Sequence, residues 1–249
     1  MCLILVAWKM HADWPLIVAA NRDEFFARPT AEAARWPDAP QVAAGRDLEA
    51  GGTWLGIAAG GRFAAVTNVR EPGLPPGEVS RGRLTADFLT GTGSAAGHAE
   101  EIAAMPATRH AGFNLLVGDG RGLYYVSNRA AGARPLAPGI YGVSNHLLDT
   151  PWPKLTAARA RFAGALAELP DEAAFFALLA DDEIVPDAHL PATGVSLEWE
   201  RRLSAIFVRS PDYGTRASTL ALIDAKGNGR LHERRFDAAG AAGETVVTV

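Results

Sequence analysis

The chain has 249 residues, of which 24 are Lys or Arg and 28 are Asp or Glu, giving a formal net charge of −4. This balance offers no strong positive field, so neither nucleic acid nor anionic lipid is an expected partner. The apolar fraction of 48% is sufficient for a sizeable core, and we expect one domain over residues 1–249.

A single cysteine excludes an internal disulfide and fits a reducing compartment. The apolar run at the N-terminus ends at Lys9 and is far shorter than the roughly 20 residues of a membrane-spanning helix. It also lacks the basic segment that begins a signal peptide. We therefore expect a cytoplasmic protein without integral membrane association.

Two apolar runs, residues 2–8 and 15–20, open the chain with a polar break between them. Pairing of these runs as a hairpin places Cys2 next to the charged segment that follows the second run. That segment reads Asn21, Arg22, Asp23 and Glu24. The pattern predicts a thiol beside a dense cluster of charge.

Cys2 becomes the N-terminal residue if Met1 is removed, and it then carries both a thiol and a free α-amine. A free cysteine has a pKa of about 8.5, so it needs nearby positive charge or a base to react efficiently at neutral pH. The α-amine is a suitable base, Arg22 a suitable charge, and Asp23 a suitable partner for the amine. The alternative is that Cys2 is a small apolar residue at the start of a buried strand.

The first half of the remaining chain carries mainly strand and turn signals. Residues 25–40 contain three prolines and predict an irregular surface connection. The runs 54–59 and 62–69 flank two consecutive glycines, Gly60 and Gly61, which predict a two-residue β-hairpin.

The middle of the chain alternates between helical and strand signals. Residues 81–105 have helical spacing with a glycine-rich break and predict two short helices. Residues 112–118 and 122–127 predict another hairpin. The segments 152–169 and 171–180 are rich in Ala and Leu and predict a helical hairpin.

The last part of the chain predicts a loop over residues 181–194 and then strands. The predicted strands are residues 206–208, 217–224, 229–236 and an edge strand at 245–249. Strands thus come as successive hairpins, with the helices grouped instead of alternating with single strands. This pattern predicts an α+β fold with antiparallel sheets and separate helix layers, not a doubly wound parallel fold.

Several polar and aromatic residues follow predicted strands or turns. Asn68 and Asn145 each follow an apolar strand and a hydroxyl residue, so each is suited either to stabilise an oxyanion or to form a turn. Trp54 is suited either to pack in the core or on the surface or to line a pocket, and Arg216 either to bind an acidic substrate group or to lie in solvent. The six histidines show no metal-ligand spacing, and His146 alone adjoins a candidate residue.

The sequence also resembles the NRDE family, whose eukaryotic members are called transport and Golgi organisation protein 2. The matching motifs run in order along nearly the whole chain. They are Asn21-Arg22-Asp23-Glu24, Gly51-Gly52-Thr53-Trp54-Leu55-Gly56, Thr67-Asn68-Val69-Arg70, Ser80-Arg81-Gly82, Gly112-Phe113-Asn114-Leu115-Leu116 and Tyr213-Gly214-Thr215-Arg216.

The family is similar to the N-terminal-nucleophile (Ntn) hydrolases, which implies a four-layer αββα sandwich, and especially to their cysteine branch with bile-salt and penicillin V acylases. By this resemblance the catalytic residues are Cys2, Arg22, Asp23, Asn68 and Asn145. Further candidates for contact with a substrate are Asn21, Glu24, Trp54, Arg70, His146 and Arg216. A further arginine of the branch has no clear counterpart, and Arg216 is the nearest match.

Two functions from different classes follow from these residues and this resemblance. The first is hydrolysis of a linear amide bond by Cys2, which needs a processed N-terminus and no cofactor. The second, implied by a family link to haem trafficking, is haem binding, with Cys2 or His146 on the iron and arginines on the propionates. A role in Golgi organisation has no support from the residues. Both leading hypotheses make a small molecule the partner and leave the oligomeric state open.

Overall fold

Two antiparallel β-sheets dominate the computed structural model, which describes residues 2–75 and 77–249. In spatial order, the strands of the first sheet are β10 (Gly139–Val143), β1 (Cys2–Trp8), β2 (Leu16–Phe25), β11 (Tyr213–Ile223), β12 (Gly229–Asp237) and β13 (Gly240–Thr248). Those of the second sheet are β3 (Thr30–Trp36), β4 (Ala39–Asp47), β5 (Leu55–Ala58), β6 (Arg62–Asn68), β7 (Phe113–Gly118), β8 (Leu123–Ser127) and β9 (Ala133–Pro135).

Five α-helices accompany the sheets in the described chain. They are α1 (Arg81–Thr90), α2 (Ala95–Ala103), α3 (Pro153–Ala165), α4 (Ala173–Leu179) and α5 (Leu197–Ser204). Short 3₁₀ turns occupy Leu166–Glu168 and Asp187–His189. Among the described helices, none has the length and apolar content needed to cross a membrane.

Alternation of side chains along β1 shows how the layers stack. Ile4 and Val6 face the second sheet and belong to the core between the sheets, whereas Leu3 and Leu5 face the opposite way and pack against α3 and α4. Helices α1 and α2 cover the outer face of the second sheet. The layers are therefore α3 with α4, the first sheet, the second sheet, and α1 with α2. This is the expected αββα arrangement.

The hairpin of β1 and β2 fixes the position of the N-terminal cysteine. Cys2 lies opposite Arg22 in the register of the two strands. Both residues therefore share the face that is directed towards the second sheet, because opposed residues of a ladder point the same way. Asn21 and Asp23 fall on the other face, towards the helices α3 and α4.

Strand β2 also pairs with β11, and here the ladder is irregular. The register shifts between Thr215 and Ala217, so Arg216 is the extra residue of a β-bulge. Thr215 lies opposite Asp23, while Ala217 lies opposite Arg22. The bulge thereby brings Thr215 onto the face of the sheet that carries Asp23.

The predicted hairpins and helix pairs are confirmed, with two errors in the strand predictions. The segment 25–40 is not irregular, because it contains β3 and the start of β4. Its prolines are tolerated because Pro29 precedes β3, Pro37 lies in the turn that follows it, and Pro40 lies at a register shift between β3 and β4.

The other error concerns residues 206–208, which are buried but form no strand. The backbone amide of Phe207 donates to the carbonyl oxygen of Asp181 at 2.7 Å, and that of Val208 donates to Thr215 Oγ1 at 2.9 Å. These bonds satisfy the backbone without a ladder. Helix α5, which immediately precedes this segment, was not predicted.

Candidate active site

A cavity of about 160 Å³ adjoins Cys2 where the first hairpin meets the segment leading into α1. Four of the five predicted catalytic residues line this cavity, namely Cys2, Arg22, Asp23 and Asn68. Cys2 itself is partly exposed. The described structure therefore gathers residues from the N-terminus, from β2 and from the end of β6 at one opening.

The Cys2 thiol is held mainly in its neutral form. Burial raises the pKa of this thiol, and the nearby Asp23 carboxylate adds to the rise. The Arg22 guanidinium and the Asp23 backbone amide oppose the rise, because both stabilise the thiolate. At neutral pH the thiol needs a base before it can act as a nucleophile.

Arg22 is oriented by an aromatic ring and by two oxygen atoms. Its guanidinium carbon lies 4.3 Å from the centroid of the Trp54 ring, and its Nη1 donates to Thr30 Oγ1 at 3.3 Å. Its Nη2 is 4.0 Å from Glu24 Oε2. Trp54 and Glu24, both predicted as contact residues, thus line the cavity and also orient Arg22.

Asp23 follows Arg22 in β2 and is only 2% exposed. Its Oδ1 accepts a hydrogen bond from Thr215 Oγ1 at 2.7 Å, and its backbone carbonyl oxygen accepts one from Tyr213 Oη at 3.2 Å. Burial raises the pKa of the Asp23 carboxyl, while the Lys154 ammonium and the Thr215 hydrogen bond lower it. Burial and the Asp23 charge also raise the pKa of the Tyr213 phenol.

Asn145 lies behind Asn68 and not at the cavity wall. Its Nδ2 donates to the backbone oxygen of Asn68 at 3.1 Å and to Asn68 Oδ1 at 2.9 Å. The neighbouring Ser144 hydroxyl donates to the Cys2 backbone oxygen at 3.0 Å. The loop after β10 therefore positions both the asparagine and the cysteine that line the cavity.

Lys154, in the first turn of α3, is a buried cation that sequence reasoning missed. It is 5% exposed, and its Nζ donates to the backbone oxygen of Leu203 at 2.8 Å and of Ala205 at 3.5 Å. Burial lowers the pKa of Lys154 to about 8, although the charge of Asp23 favours the protonated form and acts in the opposite direction. The one sequence signal is a lysine among the apolar positions of an otherwise Ala-rich helix.

A buried ion pair, formed by Arg70 and Glu200, lies near Lys154. Arg70 Nη1 contacts Glu200 Oε2 at 2.7 Å, and the two side chains are only 2% and 6% exposed. Glu200 Oε1 also accepts hydrogen bonds from the backbone amide and the hydroxyl of Thr193. Arg70, predicted as a contact residue, is therefore neutralised by a carboxylate of the unpredicted helix α5.

Besides Arg70, three more predicted contact residues lie away from the Cys2 cavity. Asn21 faces the helices, where its Nδ2 donates to the backbone oxygens of Leu179 and Ile206 at 2.8 and 2.9 Å. His146 is exposed, with its Nδ1 2.9 Å from Thr150 Oγ1. Arg216 donates from Nη1 to the backbone oxygens of residues 25 and 28, so it braces the segment after β2.

This arrangement has the parts that acyl transfer requires. A thiol and a guanidinium face a cavity, and an amide side chain at the end of β6 lines the same wall. A buried carboxylate lies within reach of the first residues of the hairpin. Such a set can bind a carbonyl group next to a sulfur nucleophile and stabilise negative charge on the carbonyl oxygen.

Solved structures of Ntn hydrolases share this architecture. A Caenorhabditis elegans ortholog of N-acylethanolamine-hydrolyzing acid amidase superposes with a TM-score of 0.52 at 14% identity, covering 90% of this chain and 93% of that one. A mutant of the conjugated bile acid hydrolase from Clostridium perfringens superposes with a TM-score of 0.50 at 8% identity, covering 100% and 96%. The protein therefore has the fold of the Ntn hydrolases.

Sequence comparison assigns the family within this fold. The family model described as Transport and Golgi organisation 2 matches residues 1–238. The chain is 41% identical over 241 residues to a Transport and Golgi organization protein 2 homolog from Bos taurus, covering 88% of this chain and 86% of that protein. The human homolog is 35% identical over 237 residues with the same coverage. The chain belongs to the Transport and Golgi organisation 2 family, also called NRDE.

Proposed function

We propose that the protein hydrolyses linear amide bonds with Cys2 as its N-terminal nucleophile. The observation that supports this proposal most is the gathering of Cys2, Arg22, Asp23 and Asn68 around one cavity. The names of the two structural neighbours, an amidase and a hydrolase, agree with it. The single cysteine suits a reducing compartment, and the proposed location is the cytoplasm.

The proposed reaction begins after removal of Met1. The α-amine of Cys2 takes the thiol proton, and Sγ attacks the carbonyl carbon of the amide. The carbonyl oxygen becomes an oxyanion, which accepts a hydrogen bond from Asn68 Nδ2. Collapse breaks the C–N bond, and the leaving amine takes the proton from the α-ammonium. Water then hydrolyses the thioester, which releases the acid and restores the thiol.

The surrounding residues have separate roles in this scheme. Arg22 favours the thiolate by its charge. Asp23 is the acceptor for the α-ammonium, and the cation of Lys154 limits the cost of burying that carboxylate. Asn145 orients Asn68 through the two hydrogen bonds it donates.

Intact-mass analysis and a substrate screen test the proposal together. The purified protein is expected to lack Met1 and to release an amine from at least one linear amide in a library followed by mass spectrometry. A covalent acyl adduct on the one cysteine should accumulate with poor substrates. Complete retention of Met1, or turnover that survives in Cys2→Ala, would contradict the mechanism.

Haem as cargo is the second proposal, and it comes from the family resemblance. Among the described residues, His146 lies outside the Cys2 cavity and is hydrogen-bonded to Thr150, so the axial ligand would be Cys2. Titration with haem should then give a saturable Soret shift that disappears in Cys2→Ala and persists in His146→Ala. A titration without saturation would remove this proposal.

A further inference from the structure

A second, larger cavity lies beside the one at Cys2. Its volume is about 640 Å³, within the range of roughly 300 to 1,000 Å³ that holds small-molecule ligands. Two residues, Asn68 and Arg81, line both cavities. The larger cavity therefore meets the nucleophile cavity at the proposed oxyanion donor and at one arginine.

Most arginines of the two cavities are already paired with carboxylates. In the nucleophile cavity, Arg28 Nε contacts Asp47 at 2.8 Å, and Arg22 lies near Glu24. In the larger cavity, Arg70 is paired with Glu200, and Arg129 Nε contacts Glu71 Oε1 at 2.6 Å. The positive charge of each of these four guanidinium groups is therefore balanced by a neighbouring carboxylate.

Arg81 differs from these four arginines. Within residues 2–75 and 77–249 it has no ion-pair partner, and its one hydrogen bond runs from Nη1 to the backbone oxygen of Gly112 at 3.1 Å. It is only partly exposed, and burial lowers the pKa of its guanidinium. A partly buried guanidinium with several unused N–H donors is suited to bind a carboxylate.

The backbone around Arg81 is held firmly. The Ser80 side chain accepts a hydrogen bond from the Gly82 amide and caps α1. The Thr53 amide donates to the Gly82 oxygen at 3.2 Å, and a Cβ on Gly52 would lie 2.4 Å from the Gly82 carbonyl carbon. Because two backbones pack this closely, the position of Arg81 relative to Trp54 and the nucleophile cavity is fixed.

Part of the lining of the larger cavity is apolar. It includes Val69, Pro72, Leu74, Pro75 and Val195. Leu74 is 57% exposed, so much of its side chain is accessible to a ligand. An apolar portion of a ligand in this cavity would cover it.

We propose that the substrate is an amide with an anionic group close to the scissile bond, bound by Arg81, and with an apolar portion in the larger cavity. This inference rests on the proposed function and names the substrate class for the same site. A carboxylate is the simplest such group, because the guanidinium fork matches its two oxygens. N-acylated amino acids are simple compounds with this chemistry.

Charge-selective alkylation tests the role of Arg81 without a known substrate. Cys2 is the only thiol, so the rates of modification by iodoacetate and by iodoacetamide both report on this cavity. Arg81→Gln should lower the iodoacetate-to-iodoacetamide rate ratio by about tenfold, and Arg81→Lys should restore part of it. Arg83→Gln is the matched control, because Arg83 is exposed, pairs with Asp87 and lines neither cavity. An unchanged ratio in Arg81→Gln would overturn the inference.

A binding experiment separates this inference from the proposed function. In Cys2→Ala, octanoate should bind about tenfold more tightly than octanamide by calorimetry, and Arg81→Gln should remove the preference. Acetate should bind more weakly than octanoate because it leaves the apolar wall uncovered. Equal affinities for octanoate and octanamide overturn the role of Arg81, and equal affinities for acetate and octanoate overturn the role of the apolar wall. If octanoate is preferred as expected in Cys2→Ala but Cys2 of the wild-type protein is unreactive, only the hydrolase mechanism is contradicted.

Discussion

Asn145 donates from its side-chain nitrogen to both oxygen atoms of Asn68, at 3.1 Å to the backbone and at 2.9 Å to Oδ1. Because Oδ1 accepts this bond, the Asn68 amide plane has a fixed orientation at the cavity wall. The two asparagines are 77 residues apart in sequence but form one unit. Asn68 is the proposed oxyanion donor, and Asn145 is its positioning residue.

The two asparagines should therefore contribute non-additively to turnover. With a substrate from the amide screen, Asn68→Ala should lower kcat by about 100- to 1,000-fold. Asn145→Ala should lower kcat through misorientation of Asn68, and the double variant should be little worse than Asn68→Ala. Steady-state kinetics on the three variants measures this, and fully additive losses would show that the residues act separately.

The reactivity of Cys2 should depend on pH in a direction set by burial. Burial raises the pKa of the thiol, so the rate of alkylation by iodoacetamide should still be increasing above the ordinary pKa of a free cysteine. Arg22→Gln should move the midpoint to higher pH, because it removes a charge that favours the thiolate. A midpoint in Arg22→Gln at or below that of the wild type would contradict this electrostatic account.

Lys154 should make stability rise in alkaline solution. Its pKa is about 8 in the folded protein against an ordinary value of 10.5, so between these values the unfolded chain binds a proton that the folded chain has released. The free energy of unfolding should therefore increase with pH in this window, by up to about 1.4 kcal/mol per unit. Urea denaturation at pH 8 and pH 10 measures the increase. Lys154→Met should lack it, and an equal increase in that variant would assign the effect to other groups.

Replacing only one residue of the buried Arg70–Glu200 pair should strongly lower the stability of the protein. Arg70→Met or Glu200→Met alone leaves one buried charge and should lower the free energy of unfolding by about 3 to 5 kcal/mol. The double variant should recover much of this loss. The exposed pair of Arg201 and Asp187, 2.6 Å apart, is the control, and Arg201→Met should cost no more than about 1 kcal/mol. Equal effects at the two pairs would contradict the role assigned to burial.

Sequence patterns predicted much of this fold because they report local geometry. Two consecutive glycines marked the turn before β6, and a continuous apolar run marked β1, which is buried on both faces. Prolines misled the prediction for residues 25–40, since a proline in a turn or at a β-bulge does not prevent strand formation. Local signals decide whether an element forms, but the position of an element in the sheet decides which residues it tolerates.

The candidate site was predictable only in part, because side-chain direction depends on distant partners. The resemblance to a known family indicated Cys2, Arg22 and Asn68, which line one cavity. It could not show that Asn145 faces Asn68, or that Arg216 is bonded to backbone. Lys154 is missed for the same reason. Its burial results from packing of α3 against a segment about 50 residues later in the chain, which no local pattern reports.

The bulge in β11 gives Arg216 a role that does not depend on its charge. If Arg216 were paired in the ladder instead of bulged, it would lie opposite Asp23 and Thr215 opposite Glu24, and the Thr215 side chain would turn to the face occupied by Arg22 and Cys2. Asp23 would then lose its threonine hydroxyl. The exclusion of Arg216 from the ladder, and not the charge of its side chain, therefore keeps the Thr215 hydroxyl on the Asp23 carboxylate.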